Sequence, residues 1–434
     1  MDHLTIFDEL YPKFKITKPI RLIEMFSGYG SQALALKYLG VKFEHWKICE
    51  WAVKSIQAYK DIHFTDDNKN YSEVASKEEI QEMLFKWGIS SNYNEPMTRE
   101  QINRLSEEQI RTIFNNISAT NNLVNIQDVK GDDLAIVKKD EYDYILTYSF
   151  PCQDLSLAGK GKGMSDTSTR SGMLWEVERI LKELKETDSL PQVLLMENVP
   201  QVHSVDNTPD FNKWQIELTK LGYKNYWEDL IATDYGIPQT RNRCFMVSIL
   251  GDYNYTFPEP MPLKKKLKDL LEDNVDKKYY LSDKMLQGMI NTNFNSYKLE
   301  SRLQDLDGAV DTLLTSSGSR CPHCIPIKNN TKKGYLEATD GDGVDISSRM
   351  EHHRGTVQKG KTQTLTTMGG ENNGVVDNLR IRKLTPKECF RLMGVKDEDF
   401  EKVKVNQSDS SLYHLAGDSI VVNVLMAIFK EMIN

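Results

Sequence analysis

The sequence predicts an α/β fold built on a doubly wound parallel sheet, and three observations lead there. An apolar strand over residues 21–26 breaks at a glycine-rich turn and passes directly into helix formers. Further short apolar runs follow, each ending on a polar residue. Helical periodicity fills the intervals between them, the alternation expected of parallel strands joined by crossover helices.

The first strand is Arg21-Leu22-Ile23-Glu24-Met25-Phe26, the turn is Ser27-Gly28-Tyr29-Gly30-Ser31, and residues 32–39 read as the helix. A second strand over 43–49 ends on Glu50, and residues 142–148 and 192–196 read as further buried strands. Residues 172–185 carry a helical pattern. The first domain is placed at residues 1–250, with a polar, Glu/Lys/Asn-rich insertion over about 62–127 whose pieces 76–87 and 98–116 have helical periodicity. From Gly251 the texture changes. A basic run, Lys264-Lys265-Lys266-Leu267-Lys268, precedes a Gly/Asn/Asp/Ser/Thr-rich stretch, read as a second, loop-rich domain over 251–379. Regular texture returns for 380–434, so the chain leaves the first domain and comes back to it.

With 434 residues the chain can bury a full core, and 39% hydrophobic and 27% charged residues argue against global disorder. The net charge of -8 gives no overall pull toward nucleic acid, so any DNA-binding cations must be clustered. Six irregularly spaced cysteines do not form a disulfide framework and no secretion signal is evident, which predicts a reduced, cytoplasmic setting. The apolar stretch 419–429 is shorter than the ~20 residues that span a bilayer, so no membrane role is expected.

Four motifs carry chemistry. Glycines after a first strand let a ligand approach the backbone, and Glu50, at the next strand end, is placed for ribose hydroxyls; together they favour an adenosine-containing cofactor. Pro151-Cys152-Gln153 follows a strand and sets a thiol at the carboxyl edge of the sheet. Met196-Glu197-Asn198-Val199-Pro200 leaves a carboxylate at another strand end. In Ile237-Pro238-Gln239-Thr240-Arg241-Asn242-Arg243, period-two alternation would put Gln239, Arg241 and Arg243 on one face. Taken singly, Cys152 reads equally as a small buried hydrophobe, Glu197 as a solvated acid and the arginines as a charged surface.

In chain order, Phe26-x-Gly28-x-Gly30, Glu50, Pro151-Cys152-Gln153, Glu197-Asn198-Val199, Gln239-x-Arg241-x-Arg243 and Gly417-x-Ser419 resemble the carbon-5 DNA cytosine methyltransferase family of bacteria and phages. The resemblance covers residues 21–250 and 380–434. It implies a Rossmann-like sheet that binds S-adenosylmethionine, a target recognition domain at 251–379, and a return segment at 380–434 completing the catalytic domain. It implies transfer of a methyl group to carbon 5 of a flipped cytosine in duplex DNA. Cys152 would add to carbon 6, Glu197 would serve ring nitrogen 3 as acid, and Arg241 and Arg243 would hold the base oxygen.

The family's cofactor contacts map onto Phe26, Ser27, Gly28, Tyr29, Gly30, Glu50, Trp51, Asp132, Asp133, Pro151, Leu174, Asp418 and Ser419. Asp128 rivals Asp132, and Asp418 stands where the family usually has asparagine. DNA contacts map onto Gln153, Ser156, Gln239 and Thr364, with the Gly159-Lys160-Gly161-Lys162-Gly163 loop suited to closing on phosphates. The implied partners are double-stranded DNA and, as a candidate, a cognate restriction endonuclease, with the protein a monomer. A lone Cys321-Pro322-His323-Cys324, even with His352-His353, falls short of a metal site, so no metal is expected. The competing readings are a transfer-RNA cytosine methyltransferase of the same fold and a non-catalytic DNA-binding regulator.

Overall fold

The computed structural model describes residues 11–150, 171–281, 325–332, 334–347, 355–367, 372–377 and 380–433. Strand β1 (Ile20–Met25) is buried at every position, as a strand covered on both faces must be. It pairs in parallel with β2 (Phe43–Cys49) on one side and β3 (Asp143–Tyr148) on the other, and β4 (Val193–Asn198) extends the parallel set. Strands β5 (Tyr223–Ile231) and β6 (Asn242–Leu250) form an antiparallel pair, with β6 inserted against β4 in the order β2-β1-β3-β4-β6-β5. The expected parallel sheet therefore ends in an antiparallel hairpin. Because β6 runs backwards, its first residues open on the same edge as the carboxyl ends of β1, β3 and β4.

The two faces of this sheet are packed by different parts of the chain. Helix α1 (Ser31–Tyr38) lies on one face with residues from the far C-terminus, including Val422, Leu425, Ile428 and Phe429. The other face is closed by Val177, Ile180, Leu181 and Leu184 on one helix and Phe211, Trp214 and Leu218 on another. Each such side chain, taken from water, contributes about 1.5–3 kcal/mol.

The insertion is helical, as its periodicity predicted, with its own small core. It comprises α3 (Lys77–Lys86), α4 (Arg99–Asn103) and α5 (Glu107–Ala119), which pack on α2 (Val53–His63), the helix that follows β2. The expected single helix over 98–116 is two. Ser106 caps α5 and Gln109 reaches back to its amide, a reciprocal cap that forces a fresh helix start. The crossover after β3 ends in α6 (Leu174–Glu186), and α7 (Thr208–Leu221) joins β4 to β5.

Beyond β6 the strands are short. A four-stranded sheet takes in β9 (Gly343–Asp345), β10 (Val357–Gln358), β11 (Asn373–Asp377) and β12 (Arg380–Lys383), and β7 (Ile325–Lys328) pairs with β8 (Tyr335–Ala338) in a separate two-stranded sheet among the described residues. The chain then returns through α8 (Pro386–Leu392), α9 (Asp397–Lys404), α10 (Asp409–Gly417) and α11 (Val422–Ile433). One stretch, Asp409–Ile433, is long and apolar enough to cross a membrane by length and composition, and 72% of its most apolar window is buried inside the protein. Core packing against α1 accounts for that apolarity. Cys321, Cys324, His352 and His353 lie outside the described residues.

Candidate active site

Glu197 occupies the carboxyl end of β4 and is 5% exposed. Two neighbours hold its carboxylate from opposite sides. Ser149, just past β3, donates its hydroxyl at 2.5 Å, and Arg243, at the start of β6, presents its Nε at 3.1 Å. The strand order β3-β4-β6 brings these three residues together, because each lies at the same edge of adjacent strands. Next to Glu197, the Asn198 side-chain amide donates to the Phe150 carbonyl at 3.0 Å while its own oxygen accepts from the Val199 amide at 2.8 Å. The backbone entering Pro151-Cys152 is thus clamped to the strand that carries the acid. Pro151, Cys152, Gln153 and Ser156 themselves lie outside the described residues.

Along the edge toward β1, the glycine turn and Glu50 form a second cluster. Glu50 is buried and accepts hydrogen bonds from the amides of Gly28 at 2.9 Å and Ala52 at 2.8 Å. Asn122, on the strand-like return from the insertion, exchanges hydrogen bonds with the Glu50 backbone in both directions. Burial pushes the Glu50 carboxyl up to about 7, against the lowering effect of those amides. Phe26 adopts φ 58° and its amide donates to Cys49 O, which turns the chain sharply out of β1. At Gly28, φ 54°, a Cβ would meet nothing within 4 Å, so the backbone borders open space.

The C-terminal Gly417-Asp418-Ser419 closes on this turn. Tyr29 donates its hydroxyl to Ser419 Oγ at 2.8 Å, and Gly417 is packed so tightly that a Cβ would sit 2.0 Å from Thr366 O. Arg241, 5% exposed, ties the assembly together by donating to Leu365 O at 3.0 Å and Ser419 O at 2.7 Å. Asp418 is exposed at the end of α10, close to Arg241 and Glu197. Desolvation there pushes its carboxyl up to about 6, with Arg241 opposing and Glu197 reinforcing the shift.

A family model described as C-5 cytosine-specific DNA methylase matches residues 100–434, more than half of the chain. The chain belongs to this family. It is similar to the type II methyltransferase M2.ScrFI of Lactococcus lactis subsp. cremoris, 32% identical over 95% of this chain and 99% of that protein. The orphan methyltransferase M.SssI of Spiroplasma monobiae is 30% identical over 96% and 97%. Among solved structures, the Entamoeba histolytica methyltransferase EhMeth shares the fold with a TM-score of 0.52 at 13% identity, covering 96% of this chain and 98% of that one.

Methylases of this family take their methyl group from S-adenosylmethionine, and the β1–β2 side of this methylase fits that group on three counts. Gly28 borders space that a side chain would fill, Glu50 faces it as a buried hydrogen-bond acceptor, and Ser27 Oγ is buried there without a partner. The residues that would hold the donor are therefore Phe26, Ser27, Gly28, Glu50 and Asp418. Tyr29 and Ser419, also expected at the cofactor, spend their side chains on each other. Gly30, φ 83°, is committed to starting α1.

The other expected site residues have partners of their own in the fold. Asp132 and Asp133 are exposed beside Gly131, whose amide donates to Glu183 in the last turn of α6. That turn lies toward the amino edge of the sheet, away from Gly28 and Glu50 at the carboxyl edge, and the long insertion accounts for the difference in spacing. The rival Asp128 is exposed and accepts from Asn125. The Leu174 side chain is 0% exposed and belongs to the apolar layer with Met25 and Phe150. Trp51 is partly packed into the insertion's core.

Gln239, expected to meet DNA, is likewise 0% exposed. It donates to Leu392 O and accepts from the Leu365 amide. Thr364 is half-buried, with its hydroxyl 3.4 Å from Thr240 O. Arg241 donates to two backbone carbonyls, and Arg243 is the arginine whose guanidinium is paired with Glu197. Ser149, Asn198 and Asn122 had not been assigned roles from sequence. The only advance signal was Asn198's place inside the Glu-Asn-Val motif.

Proposed function

We propose that this methylase acts on duplex DNA, flipping a target cytosine against Glu197 and Arg243 and adding the Cys152 thiolate to carbon 6. The observation that carries the reading is the Ser149–Glu197–Arg243 cluster joined through Asn198 to the residue before Pro151-Cys152. Cytosine carbon 5 is a poor nucleophile until a thiolate adds to carbon 6. The inserted base takes Glu197 out of water, which favours uptake of a proton by its carboxylate, and that proton passes to ring nitrogen 3 while the Arg243 guanidinium offers positive charge to the base oxygen. S-adenosylmethionine supplies the electrophilic methyl group. Loss of the carbon 5 proton then expels Cys152 and restores the ring. A base inside the duplex is out of reach, so the cytosine is extruded first. The strands at 251–379 serve as the target recognition domain, and a cognate endonuclease is a candidate partner in the cell.

Labelled S-adenosylmethionine with mixed-sequence duplex DNA tests this directly. Label should appear in cytosine, and Cys152→Ser should abolish it. Duplex containing 5-fluorocytosine should trap a covalent complex, which a non-catalytic regulator would not form. Transfer to transfer RNA but not to duplex DNA would overturn the substrate assignment.

A further inference from the structure

The helical insertion reaches the donor side of the site. Ser90 forms a short bridge to the segment just after β2, its amide donating to Trp51 O at 2.8 Å and its carbonyl accepting from Val53 N at 2.9 Å. This bridge sets the loop over residues 91–97 beyond Glu50. Within it Tyr93 takes φ 64°, a backbone conformation that a bulky L residue rarely adopts. Its ring lies against His414 of α10 with centroids 3.8 Å apart and planes at 31°. The phenol hydroxyl is buried beside Ser55 and Ser411 yet makes no hydrogen bond of good geometry. The Ser90 bridge sets the loop against Trp51 and Val53, next to Glu50, and His414 lies four residues before Asp418 on the C-terminal return. One ring therefore spans the insertion, the end of β2 and the C-terminal return. Backbone strain of this kind persists only where the surrounding structure holds it, and it clusters at ligand clamps.

We infer that the loop over 91–97 is the outer wall of the donor pocket, with Tyr93, backed by His414, closing over S-adenosylmethionine between Glu50 and Asp418. This rests on the methyltransferase reading above. The glycine turn forms the floor, Glu50 and Asp418 the polar ends, and Tyr93 the apolar cover. A flat aromatic wall suits the adenosyl group, and its π face attracts a sulfonium cation. It also gives the insertion a task in the reaction, namely keeping water from the methyl-bearing centre.

Calorimetric binding of S-adenosylmethionine to the full-length protein, without DNA, tests the inference. Tyr93→Ala should weaken binding about tenfold or more, with Tyr93→Phe retaining most of the affinity because the ring is kept. In steady-state assays the defect should fall on the KM for the donor and spare the KM for DNA. Hydrogen exchange on the wild-type protein provides a measurement independent of any variant's folding: amides over 91–97 should slow when donor is added. Two results would overturn the inference: a folded Tyr93→Ala protein that binds donor as tightly as wild type, or exchange over 91–97 that ignores the donor. A wild-type protein that binds neither donor nor demethylated product would instead remove the methyltransferase reading.

Discussion

Arg241 and Arg243 stand two residues apart and have different tasks. Arg243 pairs with Glu197, whereas Arg241 holds Leu365 and Ser419 by their carbonyls. Replacing Arg243 with Ala should lower turnover about 10²–10³-fold with the melting temperature nearly kept. Replacing Arg241 with Ala removes two charge-assisted hydrogen bonds from buried carbonyls, so it should first appear as about 3 kcal/mol of lost stability in thermal melts. The reverse pattern would contradict this division. Donor binding should also depend on pH. Glu50 is pushed up to about 7 by burial and Asp418 to about 6 by desolvation with Glu197 reinforcing, so the charged forms that attract a cation exist above those values and disappear as pH falls through them. Donor affinity measured from about pH 8 down to about pH 5.5 should therefore weaken, and Asp418→Asn should remove the more acidic part of the decline. Sequence could name Glu197 and Arg243 because their motif is local. It could not separate Arg241 from Arg243. Alternation assumed a strand from Gln239 onward, but β6 begins at Asn242 and Gln239 instead pairs with Thr362 outside any named strand.

Strands β1, β3 and β4 were legible because each is a mostly apolar run buried along its whole length, as strands covered on both faces are, whereas the edge strand β2, with Glu44, His45 and Lys47, was legible mainly by its end at Glu50. The reversed β6 was not, since direction within a sheet depends on partners distant in sequence. Also hidden was the join between β12 and α8. Arg382 is wholly buried, and its guanidinium makes paired hydrogen bonds at 2.8 Å to Glu388 and one at 2.9 Å to Asp377. Glu388 also accepts from the Thr385 and Glu272 amides. Arg382→Ala would leave that carboxylate buried without its counter-charge, an expected loss of about 3–5 kcal/mol by denaturant titration. A smaller loss would show that water or Lys383 can replace the guanidinium.

Across the whole molecule, a net charge of -8 conflicts with a polyanionic substrate unless the cations are gathered. Lys265, Lys266, Lys268, Lys359 and Lys361 line one groove of about 470 Å³, alongside Asp340 and Asp342. If this groove follows DNA phosphates, Lys265→Ala with Lys266→Ala should flatten the plot of log affinity against log salt by about 0.9 for each contact removed. An unchanged slope would place the DNA path elsewhere. The basic run was visible in sequence; the lysines that join it from nearly a hundred residues away were not, because only the folded second sheet brings them near. The reversal of β6 has a further consequence. Its register is counted outward from the catalytic edge, with Arg243 opposite Leu230 at one end and Leu250 opposite Tyr223 at the other. A residue gained or lost near Gly251 leaves the Arg243–Glu197 pair intact, whereas one added inside β6, just after Arg243, turns the side chains on one side of it to the wrong face. Insertions and deletions should therefore accumulate along one margin of this protein's lineage and be purged from the other.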